Sequence, residues 1–239
     1  MKKILIALLL LVVWSSELCA KETYVVGVTE ITSKKKIRTK FESIYREAYR
    51  RIGIDVTFAY MPAKRELYNL DTGELDACAL RSDDVLAECE NVVLVPVPLM
   101  EVVPVAVSMK DIPIADWADL KPYRVGVLRG DLSTLAAMEK FGVSISFFNR
   151  VDLALQMLAK DRLDAVIVDK TIGKAVAKRM KRDIYCSKPL ATVRCYHAVN
   201  KKHRDLVPKL EAAFLEMYKE NFIQTAMGAF GCMLPASLR

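Results

Sequence analysis

Short apolar runs alternate along this chain with longer stretches in which apolar residues recur every third or fourth position. "TYVVGVT" (23–29) is brief and β-branched, and reads as a buried strand. From Ser33 to Ile52 the apolar positions Ile37, Phe41, Ile44, Ala48 and Ile52 keep helical spacing, and Gly53 follows as a stop. "IDVTFAY" (54–60) is a second strand. "PAKRELYNLDTG" (62–73) opens with Pro in a first helical turn and closes on Gly, and Leu75 to Leu80 form a third strand. Strand, helix, strand, helix, strand calls for a parallel sheet with crossover helices.

A second set follows. "EVVPVAVSM" (101–109) is extended, with Pro104 marking an edge or crossing strand. "ADWADL" (115–120) reads as a helical turn, "YRVGVL" (123–128) as a strand and "DLSTLAAMEKF" (131–141) as a helix. Strand 143–148, helix 151–160, strand 163–169 and helix 170–180 continue the alternation, and an extended "TVRCYHAV" (192–199) leads to a long helix from about His203. Leu206, Leu210, Phe214 and Met217 lie on one face of that helix. The expected fold is α/β, with two lobes joined by extended segments near 101–107 and 192–199. Lobe 1 takes residues 21–102 and 197–239, lobe 2 residues 103–196. "GELDACAL" and "DRLDAVIV" reinforce the division, each a Leu-Asp-Ala strand entered from a helix and turn, unless so short a likeness is chance.

The first twenty residues stand apart. Lys2 and Lys3, an apolar run from Ile4 to Trp14, and a small residue at Ala20 make a secretory signal peptide cleaved after Ala20. The run is shorter than the roughly 20 apolar residues of a membrane span. Cys19 does not make a lipid-attachment site, because Glu17 and Leu18 precede it where small residues belong. The mature chain is therefore expected to be soluble and periplasmic, and long enough for a sizeable core or two small lobes.

Composition adds limits. The formal charge is +7, but export argues against nucleic acid and the basic residues are spread over several helices. An oxidising compartment favours disulfides; Cys186 with Cys195 and Cys78 with Cys89 are the two open pairings, and Cys232 makes the count odd. With no Cys-x-x-Cys and only His197 and His203, no metal site is expected, and nothing calls for a cofactor. There is no Gly-x-Ser-x-Gly elbow, phosphate loop or His-Glu-x-x-His, so no enzyme is expected.

The chain resembles the bacterial family 3 extracellular solute-binding proteins, which have the type II periplasmic binding protein fold. "YVVGVTE", "GELDAC", "VPVPLMEVVPVAVS", "WADLKPYRVGVLRGD", "LAKDRLDAVIVD" and the closing "KKHRDLVPKLEAAFLEMYKENFI" carry the likeness, which spans 22–228. The resemblance implies a monomer that traps a small polar, carboxylate-bearing molecule by hinge closure and presents it to an ABC-type permease or a membrane sensor. Two departures separate the chain from the amino-acid binders. "VTEITSKKKIRTKF" lacks their stacking aromatic, and "SDDVLAEC" lacks their Thr-x-x-Arg arginine.

An arginine instead comes directly off a strand at Arg81. In open α/β sheets ligands sit beyond the carboxyl ends of strands, where a guanidinium can grip a carboxylate with two parallel bonds. The alternative is a surface pair with Asp83 or Asp84. Arg65 either adds charge to that cleft or covers a helix surface. Tyr60 either stacks on the ligand or packs with its hydroxyl at the rim. Thr29 and Glu30 end the first strand, a place this fold commonly uses for ligand contacts. Met100 and Glu101, where the chain leaves lobe 1, complete that lobe's set. In lobe 2, Arg129, Gly130 and Asp131 precede a helix whose free N–H groups suit an anion, unless Asp131 itself caps the helix. Asp169 matches the family position that often receives a ligand ammonium, so Arg81 and Asp169 would clamp a zwitterion. Some relatives with this fold are exported dehydratases using a cleft glutamate, which keeps Glu30 and Glu101 open as acid/base groups.

Overall fold

A computed structural model describes residues 23–29, 35–173, 175 and 184–228. The expected leader, Glu30, Cys232 and most of the helix expected over 170–180 lie outside the described residues. The chain begins with β1 (Thr23–Thr29), α1 (Lys35–Arg51), β2 (Asp55–Met61), α2 (Ala63–Thr72), β3 (Ala77–Ser82) and the short α3 (Asp83–Leu86). β4 (Val92–Val102) and β5 (Pro104–Ser108) are separated only by Val103. There follow β6 (Val125–Leu128), α4 (Leu132–Lys140), β7 (Ile145–Phe148), α5 (Val151–Ala159) and β8 (Ala165–Asp169). β9 (Tyr185–Cys186) and β10 (Val193–Asn200) lead to α6 (Val207–Lys219) and α7 (Phe222–Gly228).

These strands make two five-stranded sheets, ordered β2-β1-β3-β10-β4 and β7-β6-β8-β5-β9. In each, three parallel strands meet one antiparallel strand that has crossed from the other sheet, β10 in the first and β5 in the second. The crossings lie at Val103 and between Cys186 and Val193. Each sheet with its helices is one lobe.

Apolar burial holds both lobes. In lobe 1, Val26 and Val97 of the sheet pack with Ile44, Ala48, Phe214 and Met217 of α1 and α6. In lobe 2 alternate residues of β8 serve two cores: Ala165 and Ile167 meet Leu120 and Met138, while Val166 and Val168 meet Leu155 and Leu158. Burying each such leucine or valine contributes about 1.5–3 kcal/mol. Lobe 1 alone sets a histidine in its core. His197 is fully buried, 2.9 Å from the Tyr49 hydroxyl, and burial pulls its pKa down to about 4.

The two Leu-Asp-Ala strings do the same work. Asp76 Oδ2 accepts the Val25 N–H at 2.8 Å, and the Asp76 N–H donates back to the Val25 carbonyl at 3.1 Å. Asp164 does both with Arg124, at 2.8 and 2.9 Å. Each string fastens a third strand to the entry of a first. Its leucine then covers a glycine: a Cβ on Gly27 would lie 2.6 Å from Leu75 Cδ1, and one on Gly126 2.8 Å from Leu163 Cδ1. Only glycine allows that approach.

The segment before residue 101 forms most of β4, whose Pro96 and Pro98 are tolerated because it is an edge strand. Two expectations need correction. The terminal helix is broken, with 3₁₀ turns over Lys201–Leu206 and a left-handed Asn221 (φ 58°) between α6 and α7. No disulfide joins Cys78 to Cys89 or Cys186 to Cys195. Cys186 pairs along β5 in the second sheet while Cys195 lies between Ser82 and Met100 in the first, so the two belong to different lobes. Cys78 is sealed among Leu70, Leu86 and Ala198.

Candidate functional site

β1 and β3 are adjacent and parallel, so their carboxyl ends deliver Thr29 and Arg81 to one edge of lobe 1. α2 crosses above them. Its buried stripe is Ala63, Glu66 and Leu70, so a carboxylate occupies a position whose neighbours on the helix are apolar. Arg81 Nη2 donates to Glu66 Oε2 at 2.6 Å and also to Thr29 Oγ1, and the Thr29 hydroxyl donates to the same Glu66 oxygen at 2.6 Å. The side chains of Glu66 and Arg81 are 1% and 9% exposed. Burial pushes the Glu66 pKa up, and the Arg81 guanidinium and Thr29 hydroxyl oppose it. Two atoms of this cluster are buried without a partner, Glu66 Oε1 and Arg81 Nε.

Lobe 2 closes over this edge. Gly130, at φ +99°, lies where a Cβ would be 3.7 Å from Ala63 Cβ and 3.8 Å from Thr29 Cγ2. Beside it Ser82 Oγ and Ser133 Oγ are 2.5 Å apart, and Ser133 donates to Asp84 Oδ1 at 3.2 Å. The lobes thus meet at the ends of β1 and β3 and the start of α4, the crevice that open α/β sheets use for ligands.

The structure brings Arg81, Thr29 and Gly130 together, and gives most of the other described candidates partners within the chain. Arg81 pairs with neither Asp83 nor Asp84; its partner is Glu66. Tyr60 is turned to α1, donating to Glu42 Oε1 at 2.6 Å with the Arg38 guanidinium 3.8 Å from its ring centre. Arg65 is exposed to solvent on α2. Arg129 lies along β7, with Nε 3.2 Å from Asn149 Oδ1 and its guanidinium over the Phe147 ring. Asp131 caps α4, accepting from Thr134 N at 3.1 Å and Thr134 Oγ1 at 2.7 Å, so the protein's own carboxylate occupies the expected anion site. Asp169 accepts from the Val103 N–H at 3.0 Å and the Thr171 N–H at 2.8 Å, fastening the end of β8 to the crossing at Val103. Met100 and Glu101 stand opposite Cys195 and Arg194 in the β4–β10 ladder. Glu30 is not among the described residues.

Four polar residues of the crevice escape a reading by composition: Glu66, Ser82, Asp84 and Ser133. Glu66 alone carried a signal, an acid in register with Ala63 and Leu70 on the apolar stripe of a helix. Groups of three or more His, Cys, Asp or Glu suited to a metal do not occur among the described residues. A recess of about 210 Å³ is lined by lobe 2 residues only, including Ser108, Asp111, Tyr185 and Lys188, and contains none of the crevice residues.

No protein-family profile and no curated protein matches the chain. Solved structures do. An ancestral arginine-binding protein bound to arginine matches at TM-score 0.67 and 20% identity, over 87% of this chain and 98% of that one. A histidine kinase sensor domain with similarity to periplasmic binding proteins matches at 0.71 and 17%, over 90% and 99%. An ABC uptake transporter substrate binding protein from Streptococcus pneumoniae, with bound histidine, matches at 0.66 and 18%, over 86% and 90%. At such identities the likeness shows the fold alone, and the chain has the two-lobed periplasmic binding protein fold.

Proposed function

We propose that the chain is an exported solute-binding protein of the family 3 kind, working as a periplasmic monomer after cleavage near Ala20. It holds a small polar, carboxylate-bearing ligand, an amino acid or related organic acid, between its lobes. Binding closes the lobes about the crossings at Val103 and 187–192, and the closed form is read by an ABC-type permease or a membrane sensor. It performs no chemistry on the ligand and needs no metal or cofactor.

The observation that carries this reading is Arg81. A buried guanidinium at the carboxyl end of an inner strand, with an unpartnered Nε, suits an acceptor group from a ligand. The likeness to a histidine kinase sensor domain keeps the sensor beside the permease as client.

Native mass spectrometry of protein purified from its export compartment tests the reading. A co-purified small acid or amino acid on the wild type, absent from Arg81→Ala, is the expected result. A ligand retained equally by Arg81→Ala would overturn the placement of the site, and turnover of that ligand would overturn the assignment as a binding protein.

A further inference from the structure

The Arg81 site is already neutralised from within. Glu66 holds the guanidinium edge that a ligand carboxylate would take, and Thr29 bonds to both partners. The nearby charges of the crevice are also acidic. Asp84 accepts from Ser133, Asp131 caps α4, Arg129 is held along β7, and Arg65 is solvent-exposed. A monoanion entering here would add an uncompensated buried charge, which is strongly unfavourable. A ligand that brings its own positive group adds none.

The unpartnered atoms say where that group goes. Glu66 Oε1 is a buried acceptor with no donor, and Arg81 Nε a buried donor with no acceptor, in side chains each more than nine-tenths buried. Buried polar atoms in native proteins are almost always paired, so such a couple calls for an occupant. Asp169, by contrast, already receives the Val103 and Thr171 N–H groups and the Thr171 hydroxyl.

We propose that Glu66, and not Asp169, accepts the ligand's ammonium, so that one lobe holds both charged ends of a ligand with adjacent ammonium and carboxylate groups, as in an α-amino acid. This rests on the functional reading above and names its substrate class. Glu66 then decides specificity: it admits zwitterions and rejects simple carboxylates, although Arg81 alone would favour the latter.

The test is a thermal-melt screen of the purified mature protein against each of the twenty standard amino acids. Calorimetry then compares every binder with its N-acetyl derivative, which keeps the carboxylate and loses the ammonium. The wild type should prefer the free amino acid by at least about tenfold, the worth of one charged hydrogen bond. Glu66→Gln should bring that ratio close to one, whereas Asp169→Asn should keep it. Equal binding of both forms by the wild type overturns the proposal, and so does a preference that Glu66→Gln retains. If Glu66→Gln fails to fold, Asp169→Asn still decides, since loss of the contrast in that variant overturns the assignment. If none of the twenty shifts the wild type, the amino-acid class falls together with this assignment; a shift without the contrast overturns this assignment alone.

Discussion

Laid one on the other at Leu75 and Leu163, the two lobes share a scaffold and differ in what it carries. The sheet orders correspond, Gly27 corresponds to Gly126, and Asp76 and Asp164 make the same paired bonds to the first strand. Glu66 then falls on Ala154 and Arg81 on Asp169. Lobe 1 spends these two positions on a buried ion pair at the crevice. Lobe 2 fills one with core and uses the other to fix the crossing at Val103. The straps and glycines are therefore requirements of the fold. The ion pair is not required by the fold, since lobe 2 does without it, which accords with the ligand role proposed for it.

The comparison breaks most visibly at the pair itself. Arg81→Ala should cost about 3–5 kcal/mol in urea denaturation, because it strands a buried carboxylate. The double change Glu66→Leu with Arg81→Met should recover most of that loss, because apolar side chains of similar size replace the whole buried pair. The second contrast is acid sensitivity. His197 has its folded pKa lowered to about 4, so the unfolded chain takes up a proton first, and stability falls as pH drops from about 6.5 to about 4. The loss should be on the order of 3 kcal/mol and disappear in His197→Asn, read from melts across that window.

Smaller effects sharpen the likeness of the straps. Asp76→Asn should cost about 2 kcal/mol, since Lys202 and His203 also bind that carboxylate at 2.9 and 2.7 Å. Burial works against the ionised Asp76, but its N–H and cation partners outweigh it and hold its pKa below the usual range. Its contribution is thus present above the unfolded pKa and lost as pH falls through the folded one. Asp164→Asn should cost about 1 kcal/mol, because its Arg124 partner is half exposed and screened. Denaturant titration of both variants checks that order.

The alternation of periods placed most strands and helices, and the Leu-Asp-Ala repeat marked the two halves but not the paired bonds its aspartates make. β4 drew no reading of its own before residue 101, and its Pro96 and Pro98 suit a strand only at a sheet edge, a tertiary fact. Arg81 was legible as a charge at the end of an apolar strand. Its partner was not, because Glu66 lies fifteen residues away and acidic residues on a helix usually face water. Arg129, Tyr60 and Asp131 were legible as polar groups near strand ends, but not their directions, which neighbours such as Asn149, Glu42 and Thr134 decide. The disulfides failed for a related reason, since sequence proximity placed Cys186 and Cys195 together while the topology assigns them to different sheets.

The most direct measurement is a crystal structure of the wild type with its co-purified ligand, or with the amino acid that most stabilises it. The account predicts density at the ends of β1 and β3, with a nitrogen on Glu66 Oε1, an oxygen on Arg81 Nε and Gly130 above. Density in the lobe 2 recess beside Tyr185 and Lys188, with the Glu66–Arg81 pair undisturbed and uncontacted, would contradict it.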